Sequence, residues 1–72
     1  MKYSIVRIHK HENETYWTYW LTECTTGIDD AVKEARALIK ITGSNRIAVT
    51  PAGPHHSSGI TVFNKKEIIW EL

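Results

Sequence analysis

Apolar and polar positions change period along the chain, and the changes mark its elements. Residues 3–9, YSIVRIH, alternate and are rich in β-branched side chains, the pattern of a half-buried strand. The polar run KHENE supplies a turn before TYWTYWLT, so the first two strands make a hairpin. In TTGIDDAVKEARALIKITG the period lengthens, with Ile28, Ala31, Val32, Ala35, Leu38 and Ile39 following the i, i+3, i+4, i+7 rule. That spacing predicts a helix over Asp29–Thr42 with Val32, Ala35, Leu38 and Ile39 facing inward. Acidic residues open it, Lys40 stands near its end, and Gly43 is placed to adopt the left-handed conformation after the last turn. NRIAVT reads as a third strand stopped by Pro51, and PAGPHHSSG as a loop. ITVFNKKEIIWEL reads as a closing hairpin that turns at Asn64, Lys65 and Lys66.

The order ββαβββ fits one small α+β domain over residues 1–72, without internal repeat, linker or low-complexity tail. One helix cannot cover both faces of a five-strand sheet, so two layers are expected, with the helix across one face. The order of elements resembles β-grasp topology, in which a hairpin, a helix and later strands form a ubiquitin-sized domain. A mainly antiparallel meander satisfies the same pattern.

Strand alternation then sorts side chains by face. The more uniformly apolar set is Trp17, Tyr19 and Leu21 with Val6, Ile8, Ile47, Val49, Ile60, Val62, Ile68, Trp70 and Leu72, which should lie under the helix. The opposite set is Tyr3, Ile5, Arg7, Tyr16, Thr18, Trp20, Ala48, Phe63 and Ile69, and it is far from polar. An apolar sheet face left in water points to a partner, so Tyr3, Ile5, Arg7, Tyr16, Thr18 and Trp20 are the expected partner-binding residues.

Composition narrows the chemistry. A core this small supplies only about 3–5 kcal/mol net, which makes stabilisation by a partner or a homodimer natural. The single cysteine, Cys24, excludes an internal disulfide. With no secretory pattern and no apolar run of membrane-spanning length, the reading is a cytoplasmic protein with no membrane partner. A net charge of +1 gives no global case for nucleic acid.

Four histidines invite a metal reading, but short connections place His9 and His11 at one end of the sheet and His55 and His56 at the other, and neither pair has a third ligand. No metal or other cofactor is expected. At the second end, Cys24 near a histidine and a helix start would suit a nucleophile, and His55, His56, Ser57 and Ser58 would suit a bound anion. Asp29 and Asp30 oppose both. The sequence carries no phosphate-cradling glycine loop, CxxC pair, GxSxG elbow or GxxG loop, so no catalytic residue is assigned and the chain does not read as an enzyme. The expected function is a protein-interaction module, an inhibitor or adaptor of the kind small phage or accessory genes encode. The alternative is single-stranded nucleic-acid binding, with bases stacked on Tyr16, Trp20 and Tyr3 beside Arg7.

Overall fold

The computed structural model describes residues 2–10, 13, 15–51 and 60–72, the last segment without the side chains of Ile60 and Thr61. Strands β1 (Tyr3–Lys10) and β2 (Thr15–Cys24) precede helix α1 (Ile28–Thr42), which is followed by β3 (Ile47–Pro51), β4 (Ile60–Asn64) and β5 (Trp70–Glu71). The five strands form one sheet in the order β4-β2-β1-β3-β5, and every neighbouring pair is antiparallel. Only β1 and β2 are neighbours in both sequence and space, so the sheet is not a meander.

Helix α1 forms where the periodicity places it. It starts after Gly27, which sits at φ 124, and carries Asp29 and Asp30 in its first turn, against the positive end of its dipole. Gly43, at φ 69, takes the left-handed conformation and donates its N–H to the Ile39 carbonyl at 3.0 Å, closing the last turn. Ala31 and Ala35 are fully buried, and Ile28, Val32, Leu38 and Ile39 pack beside them. Small residues at the closest approach let the helix lie near the strands.

The closing hairpin does not form, because β4 and β5 lie on opposite edges of the sheet. Asn64, Lys65 and Lys66 begin a crossing strap instead. Lys65–Glu67 is a 3-10 turn, capped reciprocally: the Asn64 carboxamide oxygen accepts from the Lys66 N–H at 3.0 Å, and the Glu67 carboxylate accepts from the Asn64 N–H at 3.0 Å. Beyond it, Ile69 N–H donates to the Val49 carbonyl at 3.0 Å and Leu72 N–H to the Ile47 carbonyl at 2.9 Å. Four strand spacings would separate the edges of a flat sheet by about 19 Å. The six steps from Asn64 to Trp70, three of them in a 3-10 turn, reach only about 16 Å. The sheet must therefore curl to bring its edges within reach, with the helix on the outside of the curl and the strap across the inside.

Each side of the curled sheet holds its own core. On the helix side, Ile5, Cys24, Ile47 and Val49 are buried against α1, with Tyr3, Leu21, Trp70 and Leu72 around them. On the strap side, Val6, Ile8, Tyr16, Ala48 and Phe63 are buried under Ile68. Thr50 is buried as well, and its hydroxyl donates to the Glu67 carbonyl, tying β3 to the strap. Two assignments from alternation are thereby corrected. Val6, Ile8 and Ile68 pack on the strap side and not under the helix, whereas Tyr3 and Ile5 face the helix. The face carrying Tyr16, Thr18, Ala48 and Phe63 is not open: Tyr16 is 4% exposed, Phe63 2%, and Thr18 fully buried.

Candidate interaction surface

Pairing register shows which side chains the helix leaves uncovered. Ile5 pairs with Val49 and Arg7 with Ile47, so Arg7 and His9 continue the helix side of β1. Arg7 also pairs with Tyr19 and His9 with Trp17, while Trp17 pairs with Val62 on β4. Arg7, His9, Tyr19, Trp17 and Val62 therefore share one face, in three adjacent strands. A helix is about 10–12 Å across and spans two or three strand spacings, which leaves the β2–β4 side bare. Trp17 is 46% exposed, Tyr19 45% and Val62 49%. The His9 and Tyr19 rings meet edge to face, with centroids 5.7 Å apart and planes at 83°.

A register shift between Ile5 and Val6 sets the limit of the covered region. Ile5 pairs with Thr22 but Val6 with Trp20, so Leu21 is the extra residue of a β-bulge. Leu21 turns into the helix-side core, while Trp17 and Tyr19, expected beneath the helix with it, lie on the correct side but beyond the helix's reach.

The six residues expected to bind a partner do not share a face. Tyr3 and Ile5 belong to the helix-side core, and Tyr16 and Thr18 are sealed on the strap side. Arg7 is exposed on the helix side and Trp20 is 38% exposed on the opposite one. Sequence reasoning missed Trp17, Tyr19 and Val62 as surface residues, although β1 held a signal. Along one face of that strand Tyr3 and Ile5 give way to Arg7 and His9, and that change marks where the helix stops covering the sheet.

Next to the bare region, β1 overhangs β3. The pairing of the two strands ends at Arg7 and Ile47, while β1 continues to Lys10. Past that point Ile8 N–H donates to the Arg46 carbonyl at 3.2 Å. The step is a cleft of about 350 Å3 lined by Arg7, Ile8, His9, Lys10, Asn45 and Arg46. Three fixed cations and an amide border it, and among the described residues no carboxylate does. Glu71 lies 4.0 Å from the Arg46 guanidinium, at the outer limit of an ion pair between two partly exposed side chains.

At the other end of the sheet, Cys24 is buried in the helix-side core. Its sulfur lies 3.3 Å from the Thr26 hydroxyl and donates to the Gly27 carbonyl at 3.8 Å. His55, His56, Ser57 and Ser58, the expected anion-binding residues, lie outside the described residues, as does His11. Among the described residues no three His, Cys, Asp or Glu side chains converge on a metal-sized site, and no helix is long and apolar enough to cross a membrane. Comparison with protein-family models, with curated proteins and with solved structures finds no match to this chain.

Proposed function

We propose that this chain is a small non-enzymatic protein-interaction module, of the inhibitor or adaptor kind, whose contact surface is the bare part of the helix side. The observation that carries the reading is the contiguous group of Trp17, Tyr19 and Val62, each about half exposed, with Arg7 at its border. Trp, Tyr and Arg are the residue types that dominate interface hot spots, and their energy comes from rings seated in desolvated pockets of a partner. Trp17 and Tyr19 are two residues apart on one strand, so their side chains emerge about 6.6–6.8 Å from each other. That spacing presents two anchors to one partner surface. A different protein suits the surface better than a second copy, because a twofold interface would turn the cations at its border toward their own images.

Affinity capture with mass spectrometry, comparing wild type with Trp17→Ala and Lys33→Ala, nominates a partner, and calorimetry with that partner purified tests it. The partner should bind wild type and Lys33→Ala alike and lose at least tenfold in affinity with Trp17→Ala, about 1.4 kcal/mol. Equal binding by all three proteins, with Trp17→Ala folded by circular dichroism, would sink the reading.

The juxtaposition of rings and cations favours one second reading, single-stranded nucleic-acid binding, with bases stacked on Tyr19 and Trp17 in place of the rings first expected. Salt separates the two. Binding through phosphates weakens steeply as ionic strength rises, whereas an apolar protein interface changes little.

A further inference from the structure

The cleft at the step between β1 and β3 is not used by the ring surface, yet it adjoins that surface through Arg7 and His9. We infer that it is the subsite for carboxylates, so that the partner docks an acidic segment whose apolar side chains cover Trp17, Tyr19 and Val62. This inference rests on the protein-interaction reading and supplies its partner chemistry.

Three observations support it. The first is charge: Arg7 borders the cleft from the helix side and Lys10 and Arg46 from the strap side, the three side chains offer donors only, and among the described residues no acidic side chain lines it. A guanidinium bordering the cleft suits a planar carboxylate, which can accept a pair of N–H bonds from one fork. The second is cost. Three like charges bordering a cleft of about 350 Å3 disfavour one another, and the carboxylate of Glu71 approaches Arg46 only to 4.0 Å, which leaves most of that guanidinium's donors to another acceptor. The third is continuity, since Arg7 is directly opposite Tyr19 and His9 packs edge to face on the same ring. An extended segment lying over Tyr19 therefore reaches the cleft within one or two residues.

A polynucleotide fits these observations less well. Its phosphates recur along the whole strand and call for cations along the whole path, whereas the chain as a whole carries nine basic residues against eight acidic ones.

Selection from a random twelve-residue peptide phage library on the immobilised protein tests the inference and needs no purified partner. Peptides that bind wild type but not Trp17→Ala are expected to be enriched in Asp and Glu over the input library. Reversing the cleft with Arg7→Glu and Arg46→Glu together should weaken the best of them about tenfold or more at low salt, and the loss should shrink as salt is added. Ring-dependent peptides without acidic enrichment would overturn the carboxylate subsite and leave the interaction surface standing. Absence of any ring-dependent peptide would overturn both. Fluorescence anisotropy with a labelled fifteen-nucleotide oligothymidylate is the remaining arm. Binding lost in both the Trp17 variant and the double charge reversal would assign the surface to nucleic acid and overturn both statements.

Discussion

On the helix side, Ile5, Ile47 and Val49 are closed off by a fifteen-residue helix; on the strap side, Val6, Tyr16 and Phe63 are closed off by the five residues between β4 and β5 and by the curl of the sheet itself. The two coverings differ in reach. A straight helix seals a band and stops, so the sheet beyond it stays bare and carries Trp17 and Tyr19 into solvent. A curled sheet folds its own ends inward and needs only a short strap to finish the enclosure. It follows that the surface available for binding is on the helix side, where the covering is rigid and incomplete, and that strap-side residues serve stability.

The largest expected effect tests the strap side. Phe63 is 2% exposed and bridges β4 to the side chains of β1 and β2. Phe63→Ala should cost about 3–5 kcal/mol, comparable to the whole stability of a domain this size, so the variant should lack a cooperative urea transition at 25 °C. A melting curve close to wild type would mean that the strap side is not a core.

Leu38→Ala probes the helix side and should cost less, about 2 kcal/mol, because Leu38 is only partly buried at the border of the packed face. Lys33→Ala, on the exposed face of the same helix, should stay within about 0.5 kcal/mol of wild type. Urea midpoints that coincide for the two variants would contradict the orientation of α1.

Asn64→Ala removes the acceptor that caps the strap's 3-10 turn and should cost about 1 kcal/mol, within the usual range for such caps. If the strap holds the curl closed, the same change should raise amide exchange at Ile69, whose N–H bonds Val49 across the strap's far end, while the Gly43 amide at the helix terminus keeps its protection. Equal exchange at both amides would show that the strap is ornamental to the curl.

These contrasts also explain which parts of the fold were legible in the sequence. Helix α1 was readable almost to the residue, since its start, its apolar stripe and the left-handed Gly43 are local signals. The order of strands in the chain was readable for the same reason. Facing was not. Alternation identifies a core side only when the other side is polar, and here both sides are apolar because both are covered. Val6 with Ile8 and Ile5 with Tyr3 are equally good core pairs, and nothing within β1 chooses between them. The bulge at Leu21 compounded the problem by joining two registers in one strand. Asn64, Lys65 and Lys66 carried a true turn signal, but a capped turn can reverse a chain or redirect it across a sheet, and only the curl decides. At the candidate surface, the exposure of Arg7 followed from its type but its neighbours did not: it was grouped with Tyr3, Tyr16 and Trp20, whereas it lies opposite Tyr19, which was assigned to the core because large aromatics usually go there.

The smallest expected effect on stability falls on Val62, the neighbour of Phe63 in sequence and its opposite in position. Adjacent strand residues point to opposite faces, so these two sample the strap-side core and the bare helix side with almost the same backbone. Val62→Thr keeps β-branching and shape and exchanges one methyl for a hydroxyl. At a site 49% exposed, the hydroxyl stays hydrated, so stability should change by less than about 0.5 kcal/mol. In a complex the same atom would be desolvated against the partner, and losing one buried methyl while burying a hydroxyl should cost about 1 kcal/mol or more, at least a fivefold loss of affinity. The pairing of a silent urea curve with a measurable binding defect is what separates an interaction surface from a merely incomplete core. If Val62→Thr is silent in both, the contact surface is narrower than the three-strand face and centres on Trp17 and Tyr19 alone; if it destabilises the free protein by as much as Leu38→Ala, then β4 is packed on both sides and the helix side has no bare region at that edge.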